Sequence, residues 1–208
     1  MTPIITLLTD FGLTDPYVGQ MKGVLLTHCP SVRIVDLSHG IPVHDIGVGA
    51  FYLKKSWCFF PEGTIHLAVV DPGVGMERDL VVLCCSGHFF LGPDNGLLSS
   101  LCEECEVYRL RCDDVIAAPS SNTFHGRDFL APIAGSMANG KSPEDLGEKI
   151  SVGDLVSCPL PESINGVNGE IVGEVLFSDG FGNLVTNLEV ETPSSESKLF
   201  FKDREVPI

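Results

Sequence analysis

An uncharged apolar run, IITLLT, stops abruptly at Asp10, and the same rhythm of apolar run and polar turn repeats through most of the chain. Residues 3–9 predict a buried β-strand, short, β-branched and without charge. A turn-rich stretch, DFGLTDPYVGQ, leads into a helix in which Val18, Met21, Val24 and Leu25 keep helical spacing until Cys29-Pro30 ends it. SVRIVDLS predicts a second strand, and GIPVHDIGVGAFYLKKSW a loop and a second helix. Further strands are predicted at 64–70, 80–85 and 88–91, and VYRLR is another short one. GPDNGLLSSLCEE is expected to turn and open a helix, while RDFLAPIAGSMANG forms a helix that Asn139-Gly140 terminates.

Strands alternating with helices predict a layered α/β domain with a largely parallel sheet. Ligands of such sheets gather at the carboxyl ends of strands. Asp10, Asp36 and Asp71 each lie at the C-terminal end of a predicted strand. From about residue 150 the texture changes: PLPESINGVNG is turn-rich, and GEIVGEVLFSD, NLVTNLEV and KLFFKDREV read as short strands with no helix between. The expected division is an α/β domain over 1–150, a linker over 151–164 and a small β domain over 165–208.

Composition narrows the picture without deciding it. The formal net charge of −15 disfavours nucleic acid, whose phosphates such a surface repels, and mildly favours a cationic small molecule. No apolar run is long enough to span a membrane. MTPIITLLTD lacks the basic n-region of a signal peptide, so a cytoplasmic protein is expected, with its 8 cysteines reduced. Cys84 and Cys85 sit in apolar context as small hydrophobes. Cys102, Cys105 and Cys112 have partly metal-like spacing, but a structural zinc site wants a second such pair, and no metal is expected.

The stretch VVDPGVGMERDLVV raises the chemical question. Its turn needs Pro72, Gly73 and Gly75, yet it also carries Asp71 at the end of one buried run and Arg78 at the start of the next. Four more segments are too polar and glycine-rich to be core alone: TDFGLTDPY, GPDNGLL, NTFHGRDFLAPIA and SDGFGNLVTN.

In that order, TDFG…DPYVGQMKG, VDLSHGIPVHDI, VVDPGVG…R, GPDNGLL, TFHGRD and DGFGNLVTN resemble the S-adenosyl-L-methionine (SAM) hydroxide adenosyltransferases, relatives of the SAM-dependent fluorinase and chlorinase. The resemblance runs in register from residue 4 to about residue 188. It implies an N-terminal α/β domain, a C-terminal β-barrel, and a homotrimer binding SAM between one subunit's N-terminal domain and the next subunit's C-terminal domain. It implies further barrel strands beyond Pro207-Ile208, so the barrel here is expected to be shortened.

Asp71, Arg78 and His125 match the residues that converge beside ribose C5′ in the hydrolytic members. Halogenating relatives carry other side chains where Asp71 and His125 stand, so the resemblance implies water rather than halide as nucleophile. A histidine oriented by a carboxylate can act as general base near neutral pH, with the arginine holding that carboxylate or stabilising hydroxide character on the water. Asp10 matches the carboxylate for the ribose hydroxyls, and Asp15 and Tyr17 the grip on the methionine end. Phe124 and Gly126 belong to the TFHGRD substrate-binding motif. Asp179 matches a carboxylate for the methionine amino group, Phe181 an aromatic against the adenine, and Asn183 an amide reading its edge. The implied enzyme hydrolyses SAM to adenosine and L-methionine without a metal, with SAM as substrate and no cofactor. The alternatives are a halogenase of the same fold, a non-catalytic SAM- or adenosine-binding protein, and a metal-dependent hydrolase built on Asp10, Asp36, Asp71 and His39.

Overall fold

The computed structural model describes residues 2–101, 105–111, 123–167, 170–189, 197–201 and 204–206. The chain divides into two compact units, Met1–Pro159 and Leu160–Ile208.

The first unit is built on one seven-stranded sheet. In chain order its elements are β1 (Ile4–Thr9), α1 (Tyr17–His28), β2 (Arg33–Ser38), α2 (Ile46–Ser56), β3 (Ile65–Val69), β4 (Leu80–Cys85), β5 (His88–Pro93) and β6 (Glu106–Leu110). A π-helical turn at Gly126–Leu130 leads into α3 (Ala131–Ala138), followed by α4 (Pro143–Leu146) and β7 (Gly147–Ile150). The strand order is β2-β1-β3-β5-β4-β6-β7. Parallel pairing joins β2, β1, β3 and β5, and antiparallel pairing joins β5, β4, β6 and β7. The switch of direction is local: β4 and β5 form a hairpin whose turn residues Ser86 and Gly87 both take positive φ, 49° and 77°, matching the strand twist.

One face of the sheet packs Ile5, Leu7, Leu67, Val69, Val82 and Leu91 against Met21 and Leu25 of α1 and Ala131, Ile133 and Ala134 of α3. On α2, Asp45 caps the first turn by accepting from Val48 N at 2.9 Å. The core also holds a polar line. The Thr6 hydroxyl meets His66 Nδ1 at 2.8 Å, and His66 Nε2 meets His88 Nδ1 at 3.1 Å. His66 stacks on Phe90, with centroids 4.8 Å apart. Burial first, and the neighbouring His88 second, push the His66 imidazole down to about 3.

Three expectations need correction. Residues 94–101 turn and bend instead of opening a helix, because the Asn95 side chain engages backbone groups at both its ends. The short α4 and the polar strand β7 stand where the sequence signalled nothing after Gly140. The cysteines are not all reduced: Cys85 and Cys105 form a disulfide. Antiparallel pairing of Cys84 with Glu106 sets Cys85 opposite Cys105, with Cα atoms 4.8 Å apart, well within disulfide range. Cys102 and Cys112 lie outside the described residues.

Among the described residues the second unit contains three antiparallel strand pairs: β8 (Ile164–Asn165) with β9 (Ile171–Val172), β10 (Val175–Ser178) with β11 (Leu184–Thr186), and β12 (Leu199–Phe201) with β13 (Arg204–Val206).

Candidate active site

Two strand ends create the site. β1 and β3 are parallel neighbours with Thr9 opposite Val69, so Asp10 and Asp71 leave the sheet at the same edge. The loop after β3 then folds back on itself. Val74 N donates to Asp71 O at 3.3 Å, Met76 N to Gly73 O at 3.0 Å and Arg78 N to Met76 O at 3.0 Å. Gly75 takes φ 82°, a conformation that a side chain would strain. This curl lays Arg78 across Asp71.

Arg78 Nε donates to Asp71 Oδ1 at 2.9 Å and to Oδ2 at 2.8 Å, and Nη2 also donates to Oδ2. The Arg78 and Asp71 side chains are only 10% and 6% exposed, so solvent screens the pair weakly. The same Nη2 lies 3.0 Å from His125 Nδ1. A guanidinium nitrogen only donates, so Nδ1 must be the accepting nitrogen, and in the neutral ring the proton sits on Nε2. Arg78 Nη2 thus bridges Asp71 and His125.

His125 owes its place to the turn that follows. The π-helical turn begins at Gly126, where an added Cβ would come within 3.4 Å of both Met21 Sδ and Val69 Cγ1. Gly126 thus packs the His125 end of the turn against Met21 of α1 and Val69 of β3. The Phe129 ring meets the imidazole edge-on at 5.0 Å.

Asp71 and His125 face a cavity of about 520 Å³ whose lining also includes Asp10, Tyr17, Phe124 and Gly126. That volume suits a nucleoside-sized ligand. One wall is aromatic: Phe11, Tyr17 and Phe124 meet edge to face at 5.3–6.0 Å. The Arg127 guanidinium sits 4.6 Å over the Phe124 ring. Asp10 Oδ2 accepts from His44 N at 2.9 Å, which fixes the orientation of its carboxylate.

Of the residues singled out in the sequence, the cavity gathers Asp10, Tyr17, Asp71, Phe124, His125 and Gly126, with Arg78 behind Asp71. Asp15 is exposed and outside its lining. Asp179, Phe181 and Asn183 belong to the second unit and form a turn of their own. Asp179 Oδ1 accepts from Phe181 N and Asn183 N, both at 2.9 Å, and Oδ2 accepts from Asn183 Nδ2 at 2.8 Å. The Asn183 amide and the turn's backbone N–H groups hold the Asp179 carboxyl below its usual range.

Asp36 and His39 serve the strand edge instead of the cavity. His39 Nδ1 meets the Thr9 hydroxyl at 2.8 Å, and its carbonyl accepts from Gly12 N at 2.8 Å, fastening the residues around Asp10. Asp36 pairs with Lys22 at 2.6 Å and lies 3.1 Å from His39 Nε2, off the line of a hydrogen bond. Burial raises the Asp36 carboxyl, but Lys22 and His39 outweigh it and hold it below the usual range. Among the described residues no three His, Cys, Asp or Glu side chains gather as a cation site.

Gln20, Val43 and His44 also line the cavity; they fall within the motifs DPYVGQMKG and VDLSHGIPVHDI, but sequence reasoning singled none of them out. His44 contributes through its backbone, in a left-handed conformation at φ 66°, and no residue-type pattern signals that.

Residues 5–147 match the SAM hydroxide adenosyltransferase N-terminal domain. A relative from Thermus thermophilus, (R)-S-adenosyl-L-methionine hydrolase, is 40% identical over 87% of this chain and 72% of its own. A fluorinase from Actinoplanes sp. is 32% identical over 89% of this chain and 71% of its own. Among solved structures, a conserved protein from Thermotoga maritima superposes with a TM-score of 0.81 at 32% identity, covering 88% of this chain and 71% of that one. With the matched domain running from β1 through β6 and holding every residue of the Asp71–Arg78–His125 set, the chain belongs to the SAM hydroxide adenosyltransferase family.

Proposed function

We propose that this protein is a hydrolase that converts SAM to adenosine and L-methionine by attack of water at ribose C5′. The observation that carries the reading is the Asp71–Arg78–His125 contact set beside a nucleoside-sized cavity. In the reaction a C5′–O bond forms and the C5′–S bond breaks, its electron pair returning to sulfur as neutral methionine leaves. The leaving group needs no acid, so catalysis must act on the nucleophile.

The donor sense of the contacts assigns the roles. Asp71 has carboxylate lone pairs beyond those taken by Arg78, and it is the group suited to accept the proton lost from water. Arg78 holds that carboxylate aimed through its two-pronged contact. His125 presents Nε2–H, which would hold the attacking oxygen and stabilise hydroxide character as it develops. Asp10 would take the ribose hydroxyls, and Tyr17 and Phe124 would pack the substrate along the aromatic wall. Holding water in line with the C5′–S bond then supplies much of the remaining rate.

The reading extends to assembly. Asp179, Phe181 and Asn183 would complete the site of a neighbouring copy, which makes the working form an oligomer, most simply a homotrimer.

Product analysis tests the reading. Purified protein with SAM should release adenosine and methionine in equal amounts, and no 5′-chloro-5′-deoxyadenosine in high chloride. The two sulfonium epimers should be assayed separately, because the Thermus relative's name specifies the (R) form. A chlorinated nucleoside as main product, or binding without adenosine release from either epimer, would overturn it.

A further inference from the structure

We propose that Asn95 is a positioning residue that sets the geometry of the Asp71–Arg78 pair by clamping the loop that carries both. This rests on the hydrolase reading and explains the GPDNGLL motif, which the site so far leaves unused.

The loop hangs from two points, Val70 before Asp71 and Asp79 after Arg78. Both are fastened by consecutive residues of one turn. Asn95 Nδ2 donates to Val70 O at 2.9 Å, and Asp94 N donates to Asp79 O at 2.9 Å. β5 runs parallel to β3, with Leu91 opposite Leu67, so the residues after β5 emerge beside the residues after β3. Gly92 allows that approach: an added Cβ there would sit 2.7 Å from Ala68 O.

The turn is itself held. Leu97 N donates to Asn95 Oδ1 at 3.2 Å, which together with the Val70 contact fixes which end of the amide donates. Asp94 Oδ1 accepts from Val156 N at 2.9 Å. The backbone bonds along the loop are short-range, from Val74 to Asp71, Met76 to Gly73 and Arg78 to Met76, so they shape its curl but do not fix its tilt on the sheet. The Asn95 amide fixes that tilt one residue from the carboxylate. Asn95 is not among the residues that line the cavity, and its bond to the loop is the one to Val70.

Asn95→Asp isolates the contact. It keeps the acceptor for Leu97 N but replaces the donor with a carboxylate oxygen facing the Val70 carbonyl. Measured beside wild type, kcat should fall roughly 10- to 100-fold, the scale of a small misplacement of catalytic groups. KM should stay within about threefold, because nothing that grips the substrate has moved. The pH profile of kcat should shift, and amide hydrogen exchange of the 70–79 segment should quicken while the rest of the sheet keeps its protection. Asn95→Ala, which removes both contacts without adding charge, should do the same and serves if the Asp variant folds poorly. Wild-type kcat in a folded variant, or a raised KM with kcat unchanged, overturns the proposal. Wild-type protein that makes no adenosine refutes the hydrolase reading instead. Exchange of 70–79 then decides the clamp alone, and protection unchanged in Asn95→Asp overturns it.

Discussion

The Asp71–Arg78–His125 set and the Asp179–Asn183 turn are both polar and glycine-rich, yet they are made in opposite ways. Arg78 and His125 meet across a sequence separation of 47, and the ion pair beneath them is almost wholly buried. The second-unit turn satisfies its carboxylate within five residues, and it leaves Phe181 95% exposed. The first is a pre-built constellation that tertiary structure pays to hold. The second is locally complete in its hydrogen bonds but presents a large apolar ring with nothing on it. Chemistry is therefore expected to reside in the first, and recognition, if any, in the second.

The harshest test of that division acts on the built constellation. Asp71→Asn keeps the side chain's shape but removes both the charge facing Arg78 and the proposed proton acceptor. The chemical step should slow by about 10²–10⁴-fold, with KM little changed. Arg78→Lys keeps the cation but loses the fork that spans both carboxylate oxygens and His125, so a loss of the same order is expected. In Asp71→Asn/His125→Ala the two losses should fall well short of adding, since groups joined through one guanidinium act as a unit. Steady-state rates with saturating SAM decide this, and near-normal turnover in Asp71→Asn would leave the motif a turn with two well-placed charges.

The two regions also differ in how far the sequence revealed them. Strands β1, β3 and β4 were legible because buried strands are continuous β-branched runs, and α1 because Val18, Met21 and Leu25 keep helical spacing. β7 was not, because GEKI is polar and gets its strand form from pairing with β6. GPDNGLL reads as a helix start from its turn residues, but Asn95 spends its side chain on Val70 and Leu97. Of the carboxylates at strand ends, Asp10 and Asp71 line the cavity, and Asp36 makes an ordinary ion pair. No spacing rule links Arg78 to His125; only the family resemblance joined them before the fold did. That Arg78 stands between Asp71 and His125 is a matter of rotamer and loop curl, which sequence does not carry.

Mild acid sharpens the comparison, because all 6 histidines precede residue 126 and none lies in the second unit. Burial holds His66 at about 3, far below the ordinary histidine value near 6.5. The unfolded chain therefore takes up that proton first. Stability is complete above about pH 6.5 and is lost as pH falls toward about 3, at roughly 1.4 kcal/mol per unit. Between about pH 7.5 and pH 5 the first unit should lose about 2 kcal/mol from this group. His66→Gln, which can still hydrogen-bond the Thr6 hydroxyl, should flatten the slope. Urea unfolding followed by Trp57 fluorescence at the two pH values measures it, and equal slopes in the two proteins would show that His66 does not govern acid sensitivity.

The smallest expected effect falls on the exposed turn. Phe181→Ala removes a ring that packs on nothing, so thermal stability should not change. If that ring stacks on the adenine in a neighbour's site, its loss should cost about 1–3 kcal/mol of binding, the scale of one base on one aromatic. KM would then rise roughly tenfold with kcat nearly intact, the inverse of the Asp71→Asn pattern. Asp179, two residues before the ring, would then offer its carboxylate to an incoming ammonium. The same assembly makes a concentration-dependent prediction: specific activity should fall on dilution as the neighbour is lost, and Phe181→Ala should then become indistinguishable from wild type. A wild-type KM in Phe181→Ala, together with specific activity independent of dilution, would assign the whole reaction to the cavity of one chain and leave the second-unit turn without a part in it.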